Sequence, residues 1–234
     1  CNILERALEH WSFPRDFVAP VVNHHNPMSK LKRLGPANAD AAAAISVANT
    51  LAQAILVGSS GNKVIYPIDE MLEQLKLNAE QATEITAGTV LEAQKLKISL
   101  LARDQGGEWK DFRDLILEKW PDPVAALCFG LGGSDVPLRL LSDRLKSPES
   151  DISPGIGLVW LRTPADQEPL LKEVERAEAD SGVGRLPLVV ILAKGTDKDL
   201  HPGIGNRDRA VLKAPVRIET LIKAAKSLTA PGSD

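Results

Sequence analysis

The stretch "LPLVVILA", at residues 186–193, is apolar along its whole length. A strand with one face in water alternates apolar and polar residues, whereas a strand covered on both faces is apolar throughout. The stretch therefore predicts a central strand of a parallel sheet, with helices packed on both sides of that sheet.

Further apolar runs lie on either side of this stretch, namely "VAALCFG" at 124–130, "GIGLVWL" at 155–161 and "AVLKA" at 210–214. Segments with helical periodicity separate and follow these runs, at 134–145, 166–177 and 218–228. Strands that alternate with helices are typical of a parallel α/β sheet. We therefore expect residues 111–234 to form a small α/β domain of the flavodoxin-like class.

The first hundred or so residues have a different texture, because helical periodicity dominates them. Helices are predicted over 3–10, from Pro14 onward, over 68–75 and over 78–103. A longer helix follows "GPANAD", and its predicted buried face consists of Ala41, Ala44, Ile45, Ala48, Leu51, Ala52 and Ile55. "RDQGGEW" then breaks the pattern. We expect an all-helical domain over 1–103 and a linker over 104–110.

Composition limits the classes of partner. The net charge of −3 and the pI of about 5.9 give no overall attraction to nucleic acid or to an anionic membrane. No apolar run is long enough to span a bilayer. The two cysteines have no zinc spacing and fit a reducing cytoplasm. Because the chain opens with Cys1 inside an apparent helix, we also expect the helical domain to be incomplete at its N-terminus.

"HWSFPRDFVAPVVNHHNP", at 10–27, contains three of the four histidines, two of them adjacent. Imidazole is a common metal ligand, so His24 and His25 suggest a metal site. Consecutive helical side chains diverge by about 100°, however, so both can rarely bind one ion. Carboxylates are also scarce nearby, since only Asp16 precedes the pair, about two turns earlier. A structural or capping role is the favoured interpretation, and no metal or cofactor is expected.

"LEHWSFP", "HHNP" and "VANTLAQAI" together resemble the C-terminal half of an HDOD domain, over about residues 1–102. HDOD domains are apparently non-catalytic relatives of the HD and HD-GYP phosphohydrolases. HD enzymes hold their metals with a histidine, a His-Asp pair and a later aspartate. This chain has no His-Asp pair, and it offers Asn49 where the later aspartate would fall. The resemblance implies a helical bundle with a partner-binding groove around Trp11, His24 and His25.

"CFGLGGSDVP", at 128–137, predicts a strand, a glycine turn and the start of a helix. Such a turn can bring backbone N–H groups close to a phosphate, which makes Gly130, Gly132, Gly133 and Ser134 candidate binding residues. The stretch lacks the G-x-G-x-x-G spacing and a Walker lysine. Glycines at strand-to-helix turns also serve purely steric needs, so both interpretations stay open.

The stretches at 186–197 and 209–228 resemble the last two strands and the final helix of a response-regulator receiver domain. Lys213 matches the receiver lysine, with Ala214 inserted before the proline that normally follows it. The phosphoacceptor aspartate would fall at 160–162, which reads Trp-Leu-Arg, and the acidic pair would fall at 130–131, which reads Gly-Leu. Without these carboxylates there is neither a nucleophile nor a magnesium site. The resemblance implies a degenerate, receiver-like domain.

These patterns favour a cytoplasmic bacterial signalling protein that acts by binding a protein partner and not by catalysis. Two alternatives stay open. The first is a metal-dependent phosphohydrolase of the HD superfamily whose remaining ligands lie upstream. The second is a nucleotide-sensing module that uses the glycine turn.

Overall fold

The computed structural model describes residues 2–57, 63–101, 112–119, 125–146, 153–193, 196 and 200–229. The predicted linker at 104–110 lies outside these ranges. The helices are α1 (Asn2–His10), α2 (Arg15–Asn23), α3 (Met28–Leu31), α4 (Pro36–Ala54), α5 (Asp69–Gln74), α6 (Ala79–Leu101), α7 (Phe112–Lys119), α8 (Val136–Leu145), α9 (Gln167–Ser181), α10 (Pro202–Gly205) and α11 (Ile218–Thr229). The strands are β1 (Val64–Ile65), β2 (Ala126–Gly130), β3 (Ile156–Leu161), β4 (Leu188–Leu192), β5 (Arg209–Lys213) and β6 (Val216–Arg217).

The N-terminal part is helical, and α4 lies at its centre. Helices α2, α3 and α5 all contact α4. Ala42 and Ala43 of α4 are fully buried, so these small side chains let neighbouring helices approach closely. The prediction of a helical part before an α/β part is therefore confirmed at this coarse level.

The predicted buried face of α4 is wrong in part. Ala41, Ala44 and Ala48 are exposed, whereas the buried set is Ala39, Ala42, Ala43, Ser46, Val47, Thr50, Leu51, Gln53 and Ala54. A run of alanines fits several helical phases equally well. The polar members of the true face obscured the correct phase.

The C-terminal part contains a four-stranded sheet in the order β2-β3-β4-β5, and every neighbouring pair is parallel. The two central strands, β3 and β4, are buried at every position. This is the structure that uniformly apolar strands predict, and the α/β expectation is confirmed. The predicted last strand, at 210–214, is observed one residue earlier.

Helices cover both faces of this sheet. Side chains of α8 and α11 pack against one face, where Trp160 is fully buried. Side chains of α9 pack against the opposite face, over β3 and β4. Because the four strands are parallel, their carboxyl ends lie at the same edge of the sheet.

The helical and α/β parts are joined by a ladder that the sequence did not predict. Strand β1 of the helical part pairs antiparallel with β6, with Val64 opposite Arg217. The buried Gln53 side chain accepts a hydrogen bond of 3.0 Å from the Val64 N–H. The Arg144 guanidinium of α8 donates to the Ile55 carbonyl oxygen at 3.0 Å. The two parts therefore pack directly on each other, while the boundary at 104–110 stays a prediction.

Candidate functional site

The two adjacent histidines follow the last residue of α2. His24 Nδ1 lies 2.6 Å from the Val21 carbonyl oxygen, so this ring nitrogen is engaged by its own helix. The His24 and His25 ring centroids lie 3.9 Å apart, and the His25 ring lies 5.5 Å from the ring of Tyr66. Burial, together with neighbouring His24, lowers the pKa of His25. Both effects favour the neutral form of its imidazole.

The described ranges contain no group of three or more histidine, cysteine, aspartate and glutamate side chains able to hold a metal ion. In these ranges the tandem histidines thus contact a carbonyl oxygen and a tyrosine, which suits a packing role. The Cys128 thiol is also a poor ligand and nucleophile, because burial raises its pKa far above the usual range.

Large aromatic side chains lie exposed around the start of α2. Trp11 is 67% exposed, Phe13 42% and Phe17 46%. The rings of Phe13 and Phe17 stack with their centroids 4.9 Å apart. We call Trp11, Phe13 and Phe17 the aromatic surface. Sequence reasoning identified Trp11 but missed the two phenylalanines, although their four-residue spacing could have indicated the contact.

The aromatic surface and the histidines lie at opposite ends of α2. Trp11 and Phe13 precede the helix and His24 follows it, so the nine residues of α2 separate them by about 13 Å. Leu8 of α1 and Val18 and Val22 of α2 form a small apolar core. A groove around Trp11 and the histidines would therefore have to run along α2.

The glycine turn after β2 has a steric explanation. A Cβ on Gly130 would lie 2.5 Å from the Ser134 Oγ and 2.8 Å from the Asp135 backbone nitrogen, so only glycine fits. Gly132 and Gly133 have φ angles of +62° and +82°, in the left-handed region that favours glycine. The turn therefore requires its glycines whether or not it binds a ligand.

Residues from elsewhere in the chain lie close to this turn. The Arg162 Nη1 lies 3.2 Å from the Cβ position of Gly132. The Ala79 Cβ of α6 lies 3.2 Å from the Cβ position of Gly133, and Leu72 of α5 lies 3.7 Å from it. Gly132 itself is exposed, and Gly130 and Gly133 are half-buried.

Arg162 connects the sheet to the helical part through an ion pair. Its Nη1 donates to the Asp69 Oδ2 at 2.9 Å, and its Nε lies 3.6 Å from the Asp166 Oδ2. The hydrogen bond to Asp69 raises the pKa of Arg162 further above its usual value. Asp166 also accepts hydrogen bonds from the backbone N–H groups of Arg162 and Thr163. Arg162, which follows β3 of the sheet, therefore contacts α5 of the helical part.

Lys213 is the last residue of β5, where it lies opposite Leu192 and is exposed. Gly130 ends β2, and these strands form opposite edges of the four-stranded sheet. Three strand spacings amount to about 14 Å. The structure therefore does not bring Lys213 to the glycine turn.

No family model, curated protein or solved structure matches the chain. Among the described helices, none combines the length and the apolarity that a bilayer crossing requires.

Proposed function

We propose that this chain belongs to a non-catalytic signal-transduction protein of the bacterial cytoplasm, which binds a protein partner through an HDOD-like helical part. Its α/β part would be a degenerate receiver-like domain. The flavodoxin-like strand order is 2-1-3-4-5. Removing the second strand from that order leaves four parallel strands in chain order, and the sheet here has that order.

The observation that carries the proposal is the aromatic surface. Contiguous exposed apolar patches often mark sites of interaction with other molecules. Aromatic side chains are also enriched at protein interfaces. Phe13 and Phe17 already stack on each other, so a partner would bind a partly ordered surface. Trp11 adds the largest side chain, and tryptophan is among the residues that contribute most to binding.

The residue types around the histidines also support a binding role. An HD-type metal site needs a His-Asp pair, and the sequence contains none. The His24 Nδ1 lies close to the Val21 carbonyl oxygen. The steric fit of the turn requires its glycines in any case, so their presence does not by itself favour nucleotide sensing.

The proposal is tested by site-specific photo-cross-linking in cells that produce the whole protein. A photoreactive residue at Phe17 should capture one defined protein, whereas the same residue at Glu173, exposed on α9, should not. The purified partner should then bind the wild-type protein, and Trp11→Ala should weaken that affinity by about tenfold or more. Capture that is equal from both positions, or an affinity that Trp11→Ala leaves unchanged, would refute the proposal.

A further inference from the structure

Strand β5 forms one edge of the four-stranded sheet, because β4 is the only strand of the described residues that pairs with it. Its side chains are alternately exposed and half-buried, and the exposed ones are Arg209, Val211 and Lys213. Val211, the apolar member of the three, is 44% exposed. We call Arg209, Val211 and Lys213 the β5 edge stripe.

The main chain of the β5 edge stripe points away from the sheet. The Asp208 carbonyl oxygen accepts from the Leu188 N–H, and the Ala214 N–H donates to the Leu192 carbonyl oxygen, both at 2.8 Å. These even-numbered positions therefore face β4. Since main-chain groups alternate along a strand, the N–H and C=O groups of the stripe face outward. Within the described residues, no hydrogen bond to them is found.

The side chains of the stripe all lie on the α9 side of the sheet. They pair in register with Leu188, Val190 and Leu192, which belong to the apolar core under α9. The intervening Ala210 and Leu212 instead pack toward α11. The stripe therefore has main-chain groups that face outward from the sheet. Its side chains form a row in which Val211 lies between the cations of Arg209 and Lys213.

Neither cation of the stripe is paired with a carboxylate in the described part of the chain. The Arg209 guanidinium donates to the carbonyl oxygens of Gly205 and Arg207. Lys213 forms no ion pair among the described residues. The neighbouring Asp208 is exposed, but strand alternation places its side chain on the other face.

A second copy of this chain is a poor occupant of the edge. If two β5 strands paired antiparallel about Val211, Arg209 of each would lie opposite Lys213 of the other. Like charges directly opposite each other destabilise a strand pair, and edge cations commonly prevent such self-association. A strand of opposite charge meets no such barrier.

We propose that the β5 edge binds an extended acidic segment of another protein as a fifth strand. The segment carries an apolar side chain between two carboxylates, at alternate positions. Main-chain hydrogen bonds provide affinity, and the alternate side chains provide specificity. Nucleic acid fits less well, because its phosphates can accept from the strand's N–H groups but offer no donor to its C=O groups and no apolar group to Val211. This inference is independent of the aromatic surface, since it rests on the other part of the chain.

The test uses the wild-type protein and three capped seven-residue peptides, each with valine at the fourth position. The second and sixth positions are glutamate in the first peptide, glutamine in the second and lysine in the third. We expect the glutamate peptide to bind best and the lysine peptide not to bind, by NMR titration. The amides of Val211 and Lys213 should also become protected from hydrogen exchange, because their N–H groups then donate to the peptide.

Charge reversal provides the matched comparison. Lys213→Glu should weaken binding of the glutamate peptide by about tenfold or more. Lys223→Glu, at an exposed position of α11, should change it little. Should Lys213→Glu fail to fold, the peptide series with the wild-type protein still decides. Equal binding of all three peptides, no binding at millimolar concentration, or protection at other amides would overturn the proposal. So would tighter binding of a single-stranded oligonucleotide to the same edge, or a dimer formed through β5.

Discussion

The Arg162 Nη1 and the Asp69 Oδ2 lie 2.9 Å apart, although the two residues are 93 positions apart in the chain. Arg162 follows β3 of the sheet, and Asp69 begins α5 of the helical part. The side chain of Asp69 is only 11% exposed, so its charge depends on this partner for compensation. This pair links the carboxyl end of β3 to the helical part.

Removing this ion pair should destabilise the fold. In Arg162→Ala the largely buried Asp69 carboxylate loses the Arg162 guanidinium as its partner. We expect the free energy of unfolding to fall by about 1–3 kcal/mol. The control is Lys172→Ala, which breaks a solvent-exposed pair with Glu168 and should leave the free energy of unfolding almost unchanged. Urea unfolding measures both variants. Equal losses would show that the Arg162–Asp69 contact does not stabilise the fold.

The buried pair of Arg207 and Glu178 should matter more. Arg207 donates to both carboxylate oxygens of Glu178 and to the Leu186 carbonyl oxygen. The Arg207 side chain is 3% exposed and that of Glu178 is 12% exposed. Arg207→Met therefore leaves the Glu178 carboxylate poorly solvated and without its charged partner. We expect the free energy of unfolding to fall by about 3–5 kcal/mol.

Two further variants check this interpretation of Arg207. Adding Glu178→Gln to Arg207→Met should recover part of the stability, because glutamine removes the charge yet still accepts from the Leu186 N–H. Arg176→Met, at an exposed position of α9, should have little effect. If Arg207→Met costs no more than Arg176→Met, the pair is not a stabilising contact.

The same pair predicts a dependence on pH. Burial raises the pKa of Glu178, but hydrogen bonds from Arg207 and Leu186 outweigh it, and the net pKa is lowered. A carboxyl with a depressed folded-state pKa stabilises the fold above its unfolded pKa, about 4.3, and loses that contribution as pH falls through the folded value. The stability gap between wild type and Glu178→Gln should be constant near neutrality and narrow below about pH 4.3. A gap that widens on acidification would contradict this assignment.

The glycine turn gives a steric prediction. Gly130→Ala places a Cβ within 2.5 Å of the Ser134 Oγ, and we expect a loss of about 1–3 kcal/mol in the free energy of unfolding. Gly88→Ala in α6 is the matched control, because a Cβ there meets nothing within 4 Å. That change should stabilise the helix by about 0.5–1 kcal/mol. A tolerated Gly130→Ala would mean that the turn relaxes at little cost.

The sheet was predictable because a strand that is buried on both faces must be apolar at nearly every position. Every position of β4 is buried and apolar, so its sequence alone indicated a central strand. The buried face of α4 was not predictable in the same way. Alanines on both sides of this helix give no contrast, and buried Ser46, Thr50 and Gln53 interrupt the apolar pattern.

The contacts between the two parts were not predictable from local pattern. Strands β1 and β6 each contain two residues, too few to show a period. The Arg162–Asp69 pair depends on tertiary packing and not on sequence spacing. Phe17 was missed because an apolar residue at the start of a helix normally faces the core, whereas here 46% of it is exposed.

We propose that the histidines of this chain do not support catalysis. The most direct measurement is steady-state turnover of an activated phosphodiester and of cyclic dinucleotides by the whole protein, with manganese present. We predict no turnover above that of manganese alone, and no difference between wild type, His24→Ala and His25→Ala. Manganese-dependent turnover that disappears in His24→Ala would contradict the account.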